Sequence, residues 1–104
     1  MTDKEKVHYR KTMKNIIRTE KAGVFVGDIK SRKGSEIILN NVRRIWRWDG
    51  ACSLSQLAVD GTSHEEGCKF SVEVVEMTVL GVIELIPCTE KAVKSINGVK
   101  EWKS

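Results

Sequence analysis

The sequence predicts a small α+β domain: a mostly antiparallel sheet of two hairpins with two short helices. Apolar, β-branched runs, typical of strands, occur in both halves of the chain, within residues 16–48 and 70–88. Each run is followed by a segment with helix-capping residues, so the order strand–strand–helix occurs twice. A chain of 104 residues fits one domain.

The first hairpin is predicted from three consecutive segments. Residues 16–30, "IIRTEKAGVFVGDIK", are expected to form a strand, and "SRKG" at 31–34 a turn. The returning strand is "SEIILNNVRRIWRW", residues 35–48. Asn40 and Asn41 interrupt its apolar pattern, which predicts a bulge or a second tight turn.

Two helices are predicted from their first residues. In "ACSLSQLAVDG", residues 51–61, Ser53 and Gln56 have the S-x-x-Q spacing of a capping box. Thr89 can cap a second helix over residues 90–96. Between the helices, β-rich runs on either side of Gly81 indicate a second hairpin or one bent strand.

Charge and composition narrow the class of protein. The net charge is +4, and residues 1–15 are rich in lysine, so we expect a flexible basic arm before a domain over residues 16–104. The chain has no apolar run of about 20 residues and no secretory signal at its start, which predicts a cytoplasmic protein without membrane contact. Three cysteines are expected to remain reduced thiols.

The stretch "RRIWRWDGACSLSQL", residues 43–57, is the candidate site. In an extended strand Arg44, Trp46 and Trp48 share one face. The Asp-Gly turn then leads into the capped helix, whose first turn suits a phosphate, while tryptophan can stack on a base and arginine can bind phosphate. The candidate ligand-binding residues are Arg43, Arg44, Trp46, Arg47, Trp48, Asp49, Gly50, Ser53 and Ser55.

A structural explanation of the same stretch stays open. The tryptophans can be packing residues of the core, with the arginines extending their apolar stems over them into solvent. Asp49 then bonds the backbone of its own turn, and Ser53 is occupied by the capping box.

No catalytic signature is visible, and we expect neither enzymatic activity nor a cofactor. Cys52, His64, Cys68 and Cys88 could supply a zinc set, but they lack the C-x₂-C pair that structural zinc sites usually show, so no metal is expected. Cys68 and His64 lack a visible group to orient the base, so they are not a convincing nucleophilic pair.

The stretch "RRIWRWDGACSLSQLAVDGTS", with "CKF" after it and "IELIPCTEKAVKSI" near the end, resembles a family of small uncharacterised bacteriophage and prophage proteins. Its central motif is approximately RIW-aromatic-WDGA-SLSQLA-x-GT. This chain has Arg47 where an aromatic residue is common and Cys52 where a small residue is common. The resemblance covers roughly residues 16–102 and implies a viral accessory protein in the bacterial cytoplasm that acts by binding.

We therefore expect a non-enzymatic protein that binds a nucleotide-like anion and that could sequester a nucleotide signal of host immunity. One alternative is nucleic-acid binding through the same strand and the basic arm. Another is a protein–protein inhibitor or scaffold that uses an exposed tryptophan patch. Exposed strand edges also lead us to expect a homo-oligomer.

Overall fold

The computed structural model describes residues 14–103. It confirms the α+β class, but the sheet has six strands and so exceeds the two predicted hairpins. No helix among these residues has the length and apolarity needed to cross a bilayer. The elements in chain order are β1 (Lys14–Thr19), β2 (Val24–Lys33), β3 (Glu36–Arg47), α1 (Leu54–Asp60), a 3-10 turn (Glu65–Gly67), β4 (Lys69–Phe70), β5 (Val74–Val79), β6 (Val82–Pro87) and α2 (Glu90–Asn97).

The sheet has the order β4–β3–β2–β1–β6. The short β4 pairs with the end of β3, and β5 pairs with the earlier part of β3. The β2–β3 hairpin is as predicted, although β2 continues to Lys33. The predicted single strand over residues 16–30 is wrong, because it divides into β1 and β2, which pair antiparallel. Gly23, at φ 110°, ends the turn between them, and Thr19 closes that turn by donating two hydrogen bonds to the Gly23 carbonyl.

The two runs around Gly81 form two strands that do not pair with each other, so the predicted second hairpin is wrong. β5 pairs with β3, whereas β6 pairs with β1 at the other side of the sheet. Only Leu80 and Gly81 lie between them, and Gly81 has φ 74°. Because two consecutive strands extend opposite sides of the sheet, the sheet is strongly curled.

Each face of the sheet covers a core. Ile16 and Val26 face the helices, and their chain neighbours Ile17 and Phe25 face the opposite side. The helix-side core contains Ile16, Val26, Ile45, Leu57, Ala58, Cys68, Phe70, Cys88, Ala92, Ile96 and Val99. The second core contains Ile17, Phe25, Ile37, Leu39, Val42 and Val79.

The asparagine pair marks a bulge in β3, as predicted. The β2–β3 register shifts between Val26 and Asp28, and Asn41 has φ 50°. A Cβ on Gly27 would lie 3.0 Å from the Val42 Cβ, so the two strands approach closely there. Of the predicted arm, Lys14 and Asn15 belong to β1. The rest of the arm, residues 1–13, lies outside the described residues.

Candidate functional site

The consecutive arginines of β3 point to opposite faces of the sheet. The Arg44 guanidinium carbon lies 4.6 Å from the centre of the Phe25 ring, on the side of the second core. Its Nη1 donates a hydrogen bond to the Ala22 carbonyl at 2.6 Å. Arg44 thus holds the β1–β2 turn against β3, which is a structural role the sequence did not indicate.

Arg43 lies on the helix side and is only 8% exposed. Its Nε donates to the Ser71 carbonyl at 2.9 Å and its Nη1 to the Ile96 carbonyl at 3.2 Å. Burial lowers the pKa of Arg43, and the charges of Glu73 and Glu101 oppose that change. Arg43 therefore links β3 to the end of α2 and does not stand at a solvated rim.

The two tryptophans of the stretch do not share one environment, so the predicted common face is wrong. The β3–β4 register shifts between Ile45 and Arg47, which interrupts the alternation of side chains. Trp46 is 51% exposed, whereas Trp48 is partly buried and packs against the helix-side core. Trp46 is thus the tryptophan of this strand that a ligand can reach, and Trp48 is a packing residue.

Trp46 contacts a second exposed tryptophan that is 56 positions further along the chain. Trp102 is 46% exposed, and the two ring centres are 5.4 Å apart at an interplanar angle of 71°. The backbone N–H of Trp102 donates to the Phe70 carbonyl at 2.9 Å, which holds the C-terminal segment against β4. The sequence gave no signal for the contact between Trp46 and Trp102.

One cation contacts this aromatic pair, and a second is paired with the first in the sheet. The Lys69 Nζ lies 4.8 Å from the centre of the Trp102 ring, and Lys69 is the β4 partner of the exposed Arg47. We call the group Trp46, Arg47, Lys69 and Trp102 the aromatic–basic surface. It includes two of the predicted site residues and two that the sequence analysis did not select.

The Asp-Gly turn after β3 is tied to the loop that follows α1. Asp49 Oδ1 accepts the Gly50 N–H at 3.0 Å, as its predicted turn role requires. The Thr62 hydroxyl donates to the Asp49 carbonyl and accepts the His64 N–H at 2.9 Å. A Cβ on Gly50 would lie 2.5 Å from the His64 nitrogen, and Gly50 has φ 77°. The WDGA and GT parts of the motif are therefore in contact and define one junction.

Asp49 and His64 are hydrogen-bonded at this junction, with Asp49 Oδ2 and His64 Nδ1 2.7 Å apart. The hydrogen bond raises the pKa of His64 and lowers the pKa of Asp49. The His64 contribution to stability is present below its ordinary pKa and disappears as the pH rises through its raised value. The Asp49 contribution is present above its ordinary pKa and disappears as the pH falls through its lowered value.

The start of α1 has the predicted Ser53 cap, but the return bond of the capping box goes to the residue before Ser53. Ser53 Oγ accepts the Gln56 N–H at 3.1 Å, and Gln56 Oε1 accepts the Cys52 N–H at 2.6 Å. Ser53 is thus engaged within the helix start, and Ser55 is exposed in the first turn. The helix has only seven residues, so its dipole offers less to a phosphate than the sequence suggested.

The cysteines do not form the zinc set considered from the sequence. Cys52 is exposed at the start of α1, whereas Cys88 lies in the helix-side core, where burial raises its pKa to about 11. Within residues 14–103, no three His, Cys, Asp or Glu side chains are grouped as metal ligands. The Cys68 thiol is buried and accepts the Asp49 N–H at 3.4 Å. His64, which the sequence paired with Cys68, directs its ring to Asp49.

A comparison with protein-family models matches residues 12–96 to the family described as Domain of unknown function (DUF6948). The match extends from before β1 into α2 and ends before Trp102. No curated protein and no solved structure matches the chain. Since the matched region is most of the sequence, the chain belongs to the DUF6948 family.

Proposed function

We propose that this protein acts by binding, without catalysis, and that the aromatic–basic surface holds a nucleotide-like phosphorylated ligand. One observation carries the proposal: two half-exposed tryptophans are in contact, a lysine lies over one of the rings, and the strand partner of that lysine is an exposed arginine. Burying an aromatic side chain stabilises a fold, so a pair of large rings left at the surface marks a contact site.

The chemistry of the surface suits a base joined to a phosphate. An indole ring offers a flat face on which a base stacks, and such stacking contributes about 1–3 kcal/mol per base. Arg47 can bind phosphate oxygens with two parallel hydrogen bonds, and Lys69 adds a second positive charge. Of the site proposed from the sequence, Trp46 and Arg47 are kept, and Lys69 and Trp102 replace the start of α1.

The biological setting is proposed from the sequence resemblance. A small accessory protein of a phage or prophage that binds a nucleotide in the host cell would lower its free concentration. Sequestration of a nucleotide signal of host immunity is the form of this activity that we favour, and it requires no catalytic group.

Single-stranded nucleic acid is the second candidate ligand. Rings that are half exposed at the surface can stack on successive bases of a strand, whereas an enclosed pocket cannot accept a polymer. The lysine-rich residues 1–15 would add contacts to the backbone of such a strand.

Isothermal titration of the full chain tests both candidates with a panel of mononucleotides, cyclic dinucleotides and a short oligonucleotide. We expect saturable binding that weakens in Arg47→Ala and is unchanged in Arg32→Ala, which removes the same charge from the exposed hairpin end. Binding of the oligonucleotide should weaken steeply as the salt concentration rises, and it should also weaken when residues 1–13 are removed. Binding of a small nucleotide should not depend on those residues. If the folded protein binds none of these ligands, the proposal is refuted. The alternative that the exposed tryptophans contact another protein would then be favoured.

A further inference from the structure

A cavity of about 450 Å³ adjoins the aromatic–basic surface, because Trp102 belongs to both. Its volume is within the usual range for small-molecule sites. Lys69 lies over the Trp102 ring but does not line the cavity, so the basic surface and the cavity meet at that ring. Apart from Trp102, the charged residues of the lining are three carboxylates and one cation: Glu65, Glu66, Glu101 and Lys100.

Glu65 supplies the carboxylate of this cavity that is open to a ligand. Its side chain lies against the end of α2, where a Cβ on Gly98 would be 2.8 and 3.0 Å from its two oxygens. Glu65 is partly buried there, and no ion pair joins it to a cation of residues 14–103. The other two carboxylates are each close to a basic side chain, Glu66 to His64 and Glu101 to Lys103.

A base that stacks on Trp102 with one edge in the cavity would meet carboxylates there. A carboxylate has two acceptor oxygens and no donor, so it complements an edge that presents two adjacent N–H groups. Guanine has such an edge, because its N1–H and its amino group lie side by side. Adenine and cytosine present an amino group beside a ring nitrogen that accepts, and uracil presents one N–H between two carbonyls. Each of these three bases therefore places an acceptor against a carboxylate.

We infer that the ligand of this protein is a guanine nucleotide, and that Glu65 accepts hydrogen bonds from the N1–H and the amino group of its base. This inference rests on the proposed function and names the base. The phosphates would stay outside the cavity, at Arg47 and Lys69, because the carboxylates of the lining repel them. An acidic cavity and a basic surface that share Trp102 thus orient the ligand.

Isothermal titration of the full chain with GMP, AMP, CMP and UMP tests the base, and IMP tests the amino group. We expect GMP to bind about tenfold or more tightly than AMP, CMP and UMP, because a hydrogen bond to a charged group contributes that much to affinity. IMP, which has the N1–H but lacks the amino group, should bind between GMP and AMP. These comparisons use the unchanged protein, so they do not depend on how a variant folds.

Glu65→Gln should reduce the preference for GMP, because an amide has one acceptor oxygen and no charge. Glu66→Gln is the matched control, since it removes the same charge from the same cavity, and it should keep the preference. The inference is overturned, and the proposed function stands, if GMP is not the tightest of the four ligands or if Glu65→Gln prefers GMP as strongly as Glu66→Gln. A folded protein that binds no nucleotide at all refutes the proposed function and the inference together.

Discussion

Replacing Gly50 by alanine should destabilise the fold strongly, because the junction after β3 has no room for a side chain. Gly50 has φ 77°, and its added Cβ would lie 2.5 Å from the His64 nitrogen and 2.6 Å from the Ser63 nitrogen. Both are backbone atoms that cannot rotate away. Gly34 is the matched control, since it has φ 60° and no atom within 4 Å of an added Cβ.

The two substitutions separate backbone strain from steric overlap. In both variants the left-handed conformation costs alanine about 1 kcal/mol of folding free energy. Part of that cost is offset in both, because alanine lowers the conformational entropy of the unfolded chain. Only Gly50→Ala adds the overlap, which typically costs about 1–3 kcal/mol. For a domain of this size, the difference amounts to roughly 5–20 °C in melting temperature.

Thermal unfolding followed by circular dichroism measures both variants under one condition. We expect Gly34→Ala to melt within a few degrees of the unchanged protein and Gly50→Ala to melt far below it. If the two variants melt together, the junction is not closely packed, and the motif residues at Gly50 and Thr62 require another explanation.

Three further changes test other contacts. Thr62→Val removes the hydroxyl that joins Asp49 to His64, and it should lower the free energy of unfolding, measured in urea, by about 1–3 kcal/mol. The control Ser63→Ala loses one exposed hydrogen bond and should lower that free energy clearly less. Equal losses in the two variants would contradict the junction. An NMR titration should find the pKa of His64 above its ordinary value and should find it lowered in Asp49→Asn, because the charged partner is gone; an unchanged value would refute the ion pair. Gly27→Ala should cost about 1–3 kcal/mol in the same urea assay by crowding Val42 at the bulge, and a neutral effect would show that the strands can separate there.

Local patterns in the sequence predicted the local features well. The cap at Ser53, the cap at Thr89 and the bulge at the asparagine pair all depend on residues close together in sequence, and all are confirmed. The division of residues 16–30 into two strands was missed, because "TEKAG" was taken as part of one strand.

The long-range features could not be derived in this way. Pairing of β5 with β3 and of β6 with β1 depends on the curl of the whole sheet, and no local pattern specifies it. The contact of Trp46 with Trp102 depends on where the C-terminal segment meets β4, and the separate faces of Trp46 and Trp48 depend on a bulge. Alternation alone placed Trp46 and Trp48 on one face, which is wrong.

The most direct test of the proposed function compares nucleotide affinity in Trp46→Ala and in the unchanged protein by isothermal titration, with Arg32→Ala as a control for surface substitution. Loss of one stacking contact of about 1–3 kcal/mol predicts a dissociation constant raised roughly 5- to 150-fold, measured at a temperature at which circular dichroism shows the variant to be folded, because the variant also loses the contact with Trp102. A Trp46→Ala protein that binds nucleotide as tightly as the Arg32→Ala control would contradict the account.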